Sequence, residues 1–138
     1  MGEKIQREHI DTHHEALTVI LFDCACEALG LEGYTCRSLR RKSPRGTVLR
    51  SYRLGYINLR KKVVTLEMYT YKERRPRSYP ALLRTISHEL AHVQRPPYRQ
   101  FFKGRWINRI HYPEFYQQVK QNIVIFKQHP VLQPHFEN

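Results

Sequence analysis

The chain has 138 residues, of which 41% are hydrophobic and 26% are charged. These values are typical of one globular domain and exclude disordered and collagen-like chains. The longest nearly apolar run, residues 16–22, is too short for a membrane span, which needs about 20 apolar residues. We therefore expect a single domain over residues 1–138, with an ordered core over about 10–126, a loosely ordered tail over 127–138 and no membrane contact.

Two features indicate the cellular compartment of the protein: the charges that flank the first apolar stretch, and the number of cysteines. Acidic residues on both sides of residues 16–22 argue against a secretory signal peptide. Three cysteines are too few for a disulfide framework. Cys24 and Cys26 stand two positions apart in a helical pattern and point in nearly opposite directions, so we expect structural roles for them. These features predict an intracellular, cytoplasmic protein, with the nucleoid or nucleus as alternatives.

The formal net charge of +12 is distributed unevenly along the chain. Residues 1–36 carry a net charge of −5, whereas residues 37–62 contain ten Lys or Arg and no acid. Such a basic stretch attracts polyanions through counterion release, although it could also serve as a solvated, solubilising face. We expect it to contact nucleic acid through Arg37, Arg40, Arg41, Lys42, Arg45, Lys61 and Lys62.

The residue pattern in the first half of the chain predicts a helix followed by a small sheet. Apolar residues at helical spacing predict an amphipathic helix over about residues 10–29, ending at Gly30. Residues 34–71 are rich in β-branched and aromatic residues in alternation, which predicts about three strands with a tight reversal at Arg60 and Lys61. The predicted buried stripe of the helix consists of Ile10, Leu17, Ile20, Leu21, Cys24 and Ala28.

The residue pattern in the second half of the chain predicts two helices joined by a loop. Pro80 suits the first turn of a helix that Pro96 and Pro97 end. A basic, aromatic loop is expected over residues 97–112, followed by a last helix that begins near Pro113. The fold class is thus α+β, with an N-terminal helix, a small three-stranded sheet, an active-site helix and a C-terminal helix. The predicted stripe of the active-site helix is Leu82, Leu83, Ile86, Leu90 and Val93.

Residues 88–92 read HELAH and match the pattern H-E-x-x-H. Two histidines four positions apart project from one helix face, so both imidazoles can bind one zinc ion while Glu89 lies beside them. A catalytic zinc takes a third protein ligand, for which His111 is preferred and Glu114 is the alternative. Five other histidines suit the site less well. His129 and His135 lie in the tail, and His9, His13 and His14 are expected to face solvent on the first helix.

Residues 83–92, LRTISHELAH, followed by HYPEFY at 111–116, resemble the SprT-like metalloprotease domain, the family that includes Spartan. The WLM proteases look similar around the same motifs. A strand like residues 55–59 also precedes the active-site helix in that family, so the likeness covers roughly residues 10–126. It implies a compact zincin fold, with His88, His92 and His111 as zinc ligands and Glu89 as catalytic base. Two departures are Tyr112, where the family commonly has Gly, and a longer separation between His92 and His111 than we would expect.

The resulting hypothesis is a zinc metallopeptidase, with nucleic-acid-bound or DNA-crosslinked proteins as candidate substrates. Glu89 would take a proton from a zinc-activated water and return it to the leaving amine. An exposed strand near Ile57 or Leu66 could align an extended substrate through its main chain. Candidate donors to the developing oxyanion are Tyr112, Arg109 and Tyr98.

Two other functions fit the same residues. One is a noncatalytic nucleic-acid-binding module in which a fourth ligand closes a structural zinc site. The other is a zinc hydrolase of a small phosphate-containing substrate, in which arginines hold the phosphates. In each case we expect a monomer.

Overall fold

The computed structural model describes residues 10–40 and 53–137. These residues form an α+β architecture with three helices, a three-stranded sheet and a separate two-stranded hairpin, which confirms the predicted fold class. No helix in the described residues is long and apolar enough to cross a membrane. In chain order the elements are α1 (Thr12–Leu29), β1 (Thr35–Ser38), β2 (Gly55–Asn58), β3 (Val63–Leu66), α2 (Tyr79–Gln94), β4 (Tyr98–Phe102), β5 (Arg105–Arg109), α3 (Pro113–Gln128) and a 3-10 helix (Gln133–Phe136).

Helix α1 lies where the sequence predicts it and has a defined cap at each end. The Asp11 side chain accepts a hydrogen bond from the backbone N–H of His14 at 2.9 Å. At the other end Gly30 adopts a left-handed conformation, φ 69°, and its N–H donates to carbonyls of the last turn. These caps fix both bounds of the helix.

The buried face of α1 differs from the predicted stripe. Ile10 and Ile20 are exposed, by 48% and 52%, whereas His14 and Thr18 are buried. The His14 ring lies 2.9 Å from the Met68 carbonyl oxygen and 3.1 Å from the Tyr79 hydroxyl. The prediction that His14 faces solvent is therefore wrong, because these hydrogen bonds offset the free-energy cost of burying its polar ring. His13 is exposed as expected, and His9 lies outside the described residues.

In the three-stranded sheet β3 is the central strand. It pairs with β1 in parallel and with β2 in antiparallel orientation. Leu66 ends this central strand and is fully buried, so the expectation of an exposed strand near Leu66 is wrong. The strand that contains Ile57, β2, lies at an edge of the sheet. Residues 59–62 form the turn into β3, which confirms the reversal at Arg60 and Lys61.

Helix α2 runs through the middle of the molecule. Every residue of this helix except Arg84 is buried or half-buried, because α1, α3, β2 and β3 all pack against it. Leu83, Ile86 and Leu90 lie in the main core cluster and are fully buried. Burial on nearly all sides holds the helix in one position.

The segment after α2 differs from the sequence expectation in two places. Residues 97–112 were expected to form a loop, but most of them form the β4–β5 hairpin. The expected loosely ordered tail is instead partly helical, since α3 extends to Gln128 and a 3-10 helix follows. Leu132 is fully buried in the core cluster and Phe136 packs against it, so the tail is docked on the domain.

Candidate metal centre

Hydrogen bonds to α3 fix the part of α2 that carries the histidine pair. The Ser87 hydroxyl donates to the Val119 carbonyl at 2.8 Å, immediately before His88. The Asn122 amide donates to the Gln94 side chain at 2.7 Å, two residues beyond His92. Both ends of the motif are thereby attached to a neighbouring helix, which limits the motion of the two imidazoles.

The structure brings His111 to the histidine pair. His111 lies in the short link between β5 and α3, and its ring centroid is 5.1 Å from that of His88 and 5.0 Å from that of His92. The centroids of His88 and His92 are 5.1 Å apart, so the three rings form a nearly equilateral group. One nitrogen from each ring lies within 4.8 Å of the other two, and the group could hold a metal ion.

The alternative third ligand does not join this group. Glu114 is exposed on the first turn of α3 and is not part of the group that could hold a metal ion. Phe115, one residue further, turns inward and contacts all three imidazoles, with ring centroid distances of 4.9, 4.5 and 5.0 Å to His88, His92 and His111. The first turn of α3 therefore supports the group with an apolar ring and leaves the carboxylate outside.

Burial sets the protonation states around the group. It lowers the pKa of His92 to about 4, and the neighbouring His88 and His111 act in the same direction. It also lowers the pKa of His88. Both rings are then neutral at pH 7, which leaves a nitrogen lone pair on each for a metal. Burial raises the pKa of Glu89 to about 7, an effect that the positive charge of Arg53 opposes.

The three histidines and Glu89 open into a cleft of about 360 Å³. Strand β2 forms one wall, and the residues at the two ends of the β4–β5 hairpin, Pro97 and Ile110, border the opening. Gly55 permits this arrangement, because a Cβ atom there would lie 3.1 Å from the Thr65 carbonyl oxygen and 3.2 Å from the Thr85 methyl. The remaining lining residues are Arg53, Tyr56, Ile57 and Leu59.

The proposed oxyanion donors do not line the cleft. The Tyr112 hydroxyl donates to the Pro96 carbonyl at 3.0 Å, and the Tyr98 ring packs edge-on against Tyr112. Arg109 donates to the Gln100 side chain at 2.8 Å. The cation that does line the cleft is Arg53. No motif marks this residue in the sequence, because it is one of ten Lys or Arg between residues 37 and 62.

The predicted nucleic-acid residues occupy varied environments. Arg37 donates to the Thr65 hydroxyl at 3.0 Å. Arg40 pairs with Glu15 through two hydrogen bonds of 2.9 and 2.7 Å, so its charge is largely neutralised within the fold. Lys61 is exposed, and the Lys62 ammonium lies over the Tyr34 ring at 5.3 Å. Arg41, Lys42 and Arg45 lie outside the described residues.

The cysteines take no part in the metal centre. Cys24, Cys26 and Cys36 carry free thiols, and burial raises the pKa of Cys26 and Cys36 to about 12. Such thiols stay protonated and do not readily ligate a metal. The structure therefore supports the structural role expected for the buried thiols.

Comparisons with known proteins leave the site to be interpreted from its geometry. No protein-family model matches the chain, and neither the curated proteins nor the solved structures contain a match to it.

Proposed function

We propose that this chain is a zinc-dependent metallopeptidase of the SprT-like kind, with a zincin-like fold. The observation that carries the proposal is the convergence of three imidazoles from two separate segments, with the Glu89 carboxylate beside them at one cleft. Two of the ligands and the carboxylate come from a buried helix, which gives the fixed geometry that catalysis requires.

The chemistry of the donor set supports zinc and an open coordination position. Three imidazoles are a ligand set typical of catalytic zinc sites. Within residues 10–40 and 53–137, no fourth His, Cys, Asp or Glu belongs to the group. A closed structural site would need such a fourth ligand, so this arrangement favours the enzyme over the noncatalytic zinc module.

The residues of the cleft suit peptide hydrolysis. When bound, zinc supplies Lewis-acid chemistry, acidifying a water molecule and polarising the scissile carbonyl. Glu89 accepts the proton of the attacking water and delivers it to the leaving amine nitrogen as the C–N bond breaks. Arg53 lines the same cleft, and we assign its positive charge to stabilising the negative charge on the former carbonyl oxygen.

The edge strand β2 is suited to holding an extended substrate. It pairs with β3 on one side, and no described strand pairs with its other side. Ile57 and its neighbours line the cleft, so a peptide added to this edge would run past His88 and Glu89. Main-chain pairing of this kind binds many sequences, which suits an enzyme acting on diverse nucleic-acid-bound proteins in the cytoplasm, nucleoid or nucleus.

A matched pair of variants tests the proposal. Glu89→Gln should retain one zinc per chain by mass spectrometry and lose cleavage of denatured casein by at least about 100-fold, because the proton acceptor is gone. Glu114→Gln, the same change on an exposed neighbour outside the histidine group, should retain both zinc and activity.

Other outcomes would contradict the proposal. Unchanged cleavage by Glu89→Gln would remove the catalytic role from this site. Turnover of nucleoside triphosphates without peptide cleavage would favour the small-substrate hydrolase instead. In the cobalt-substituted protein, an absorption spectrum that does not respond to added anions would indicate a closed, structural site.

A further inference from the structure

The β4–β5 hairpin stands apart from the packed domain. Neither strand packs against any other helix or strand of the described chain, and all five residues of β4 are exposed. Four aromatic side chains on the hairpin are between 45% and 61% exposed, namely Tyr98, Phe101, Phe102 and Trp106. Exposed aromatic rings clustered on one short element mark a contact surface for a partner.

The charges on this hairpin all have one sign. Residues 90–113 contain five Lys or Arg and no Asp or Glu. The Arg99 guanidinium lies 5.3 Å from the centroid of the Trp106 ring, and Arg109 and Lys103 lie at 5.6 and 5.3 Å from that of Phe102. Two of the four rings, Trp106 and Phe102, are thus accompanied by cations that would meet an anionic partner.

The backbone of the hairpin holds these groups in a fixed order. Lys103 and Gly104 form its turn with φ of 49° and 81°, the positive values that two-residue hairpin turns require. Phe101 and Trp106 are directly opposite in the strand register, with ring centroids 5.3 Å apart. The pair forms an exposed aromatic platform on one face of the hairpin.

We propose that this face of the hairpin binds single-stranded nucleic acid, with bases stacking at Phe101 and Trp106 and phosphates contacting Arg99, which strand alternation places on the same face. Planar rings beside cations are the combination that sequence-tolerant single-strand binders use. Duplex bases are already stacked on one another and leave no free face for the rings. Insertion of the hairpin tip into the apolar interior of a membrane is disfavoured, because Lys103 and Arg105 beside Gly104 are charged.

This surface is separate in sequence from the basic stretch of residues 37–62, and the hairpin that carries it begins and ends at the cleft of the histidine group. The residues at the two ends of the hairpin, Pro97 and Ile110, border the cleft. A strand held on the hairpin would therefore bring a protein attached to it to the opening of the cleft. This consequence rests on the proposed peptidase function, whereas the binding itself does not.

Fluorescence anisotropy with a labelled 20-nucleotide thymidine strand tests the binding, using the full chain carrying Glu89→Gln so that proteolysis does not interfere. Adding Phe101→Ala and Trp106→Ala together should weaken binding at least tenfold, because two stacking contacts are lost. Adding Ile20→Ala and Val124→Ala, two equally exposed apolar residues on α1 and α3, should leave affinity within twofold. Circular dichroism verifies that each variant is folded.

Three results would overturn the proposal. The first is unchanged affinity in the Phe101→Ala, Trp106→Ala protein. The second is equal affinity for a 20-base-pair duplex with the same loss in that variant, which would remove the preference for single strands. The third is binding to vesicles of phosphatidylserine and phosphatidylcholine without binding to the thymidine strand, which would assign the surface to membranes. Since none of these readouts measures cleavage, failure of the peptidase proposal would be seen separately.

Discussion

Helix α2 and the β4–β5 hairpin are neighbours in sequence and opposites in environment. The helix is enclosed by both other helices and the sheet, while the hairpin packs against none of them. The helix carries His88 and His92, and hydrogen bonds between α2 and α3 fix the part of the helix that holds these two imidazoles. The hairpin presents its aromatic and basic groups outward. The packing of α2 fixes the geometry of its side chains, whereas the exposure of the hairpin leaves its side chains accessible, and the two proposals above assign catalysis to the first region and partner contact to the second.

The largest expected effect comes from removing a metal ligand from the buried region. His92→Ala should lower zinc affinity by more than about 100-fold, since loss of supporting residues alone costs 10- to 100-fold at such sites. Zinc content measured by mass spectrometry tests this. His129→Ala, which changes a histidine outside the group, is the matched control and should retain full zinc content. Equal zinc in both variants would contradict the assignment of the site.

A core substitution tests whether the helix is the rigid region. Ile86→Ala should lower the free energy of unfolding by about 2–5 kcal/mol, because it leaves a cavity in the main core against which α2 packs. Urea denaturation measures the change. A loss below about 1 kcal/mol would show that α2 tolerates voids and is less tightly held than its burial indicates.

An acidic group on α1 should make part of the stability depend on pH. Burial disfavours the Glu15 carboxylate, but hydrogen bonds from Arg40 and Tyr69 outweigh this and lower its pKa. A lowered folded-state pKa stabilises the fold above the unfolded value of about 4.3, and that stabilisation is lost as the pH falls through the folded value.

The matched pair for this effect is Glu15→Gln and Glu27→Gln. At pH 7 Glu15→Gln should cost about 1–2 kcal/mol, because the three hydrogen bonds that the carboxylate accepts from Arg40 and Tyr69 are weakened or lost. The difference from wild type should shrink below about pH 4. Glu27 is exposed on the same helix, and its substitution should change stability little at any pH. Thermal unfolding at pH 7 and pH 3.5 measures both.

The smallest effect on stability is expected in the exposed region. Trp106→Ala should change the free energy of unfolding by no more than about 0.5 kcal/mol, because the side chain is 61% exposed and supports no core contact. Urea denaturation tests this beside Ile86→Ala. A loss as large as that of the core variant would remove the contrast between the two regions.

Sequence patterns predicted the buried region well. Helical spacing from Leu82 to Leu90 identified α2, and the separation of four residues placed His88 and His92 on one face. The position of His111 could not follow from periodicity, because it depends on how α3 docks. Phe115 holds that junction, and its contacts with the three rings become visible only in three dimensions.

The exposed hairpin was missed for a physical reason. Strand prediction relies on alternation between a buried and a solvated face, and β4 has no buried residue. Lys103–Gly104 was the one local turn signal in that segment. The burial of His14 was not predicted, because a search for hydrophobic periodicity leaves out a polar ring that is buried with hydrogen-bond partners inside the fold.

Because Phe115 docks against the three imidazoles, the histidine group is supported from α3 and not from the β4–β5 hairpin. His92 is placed by α2 and His111 by the start of α3, so the residues between them need only leave one point and return to another close by. Loops of different length or chemistry could be grafted into this gap without moving the ligands. The helices thus supply a fixed frame for the three imidazoles, and the 18 residues between His92 and His111 are the part of the chain whose sequence this frame constrains least.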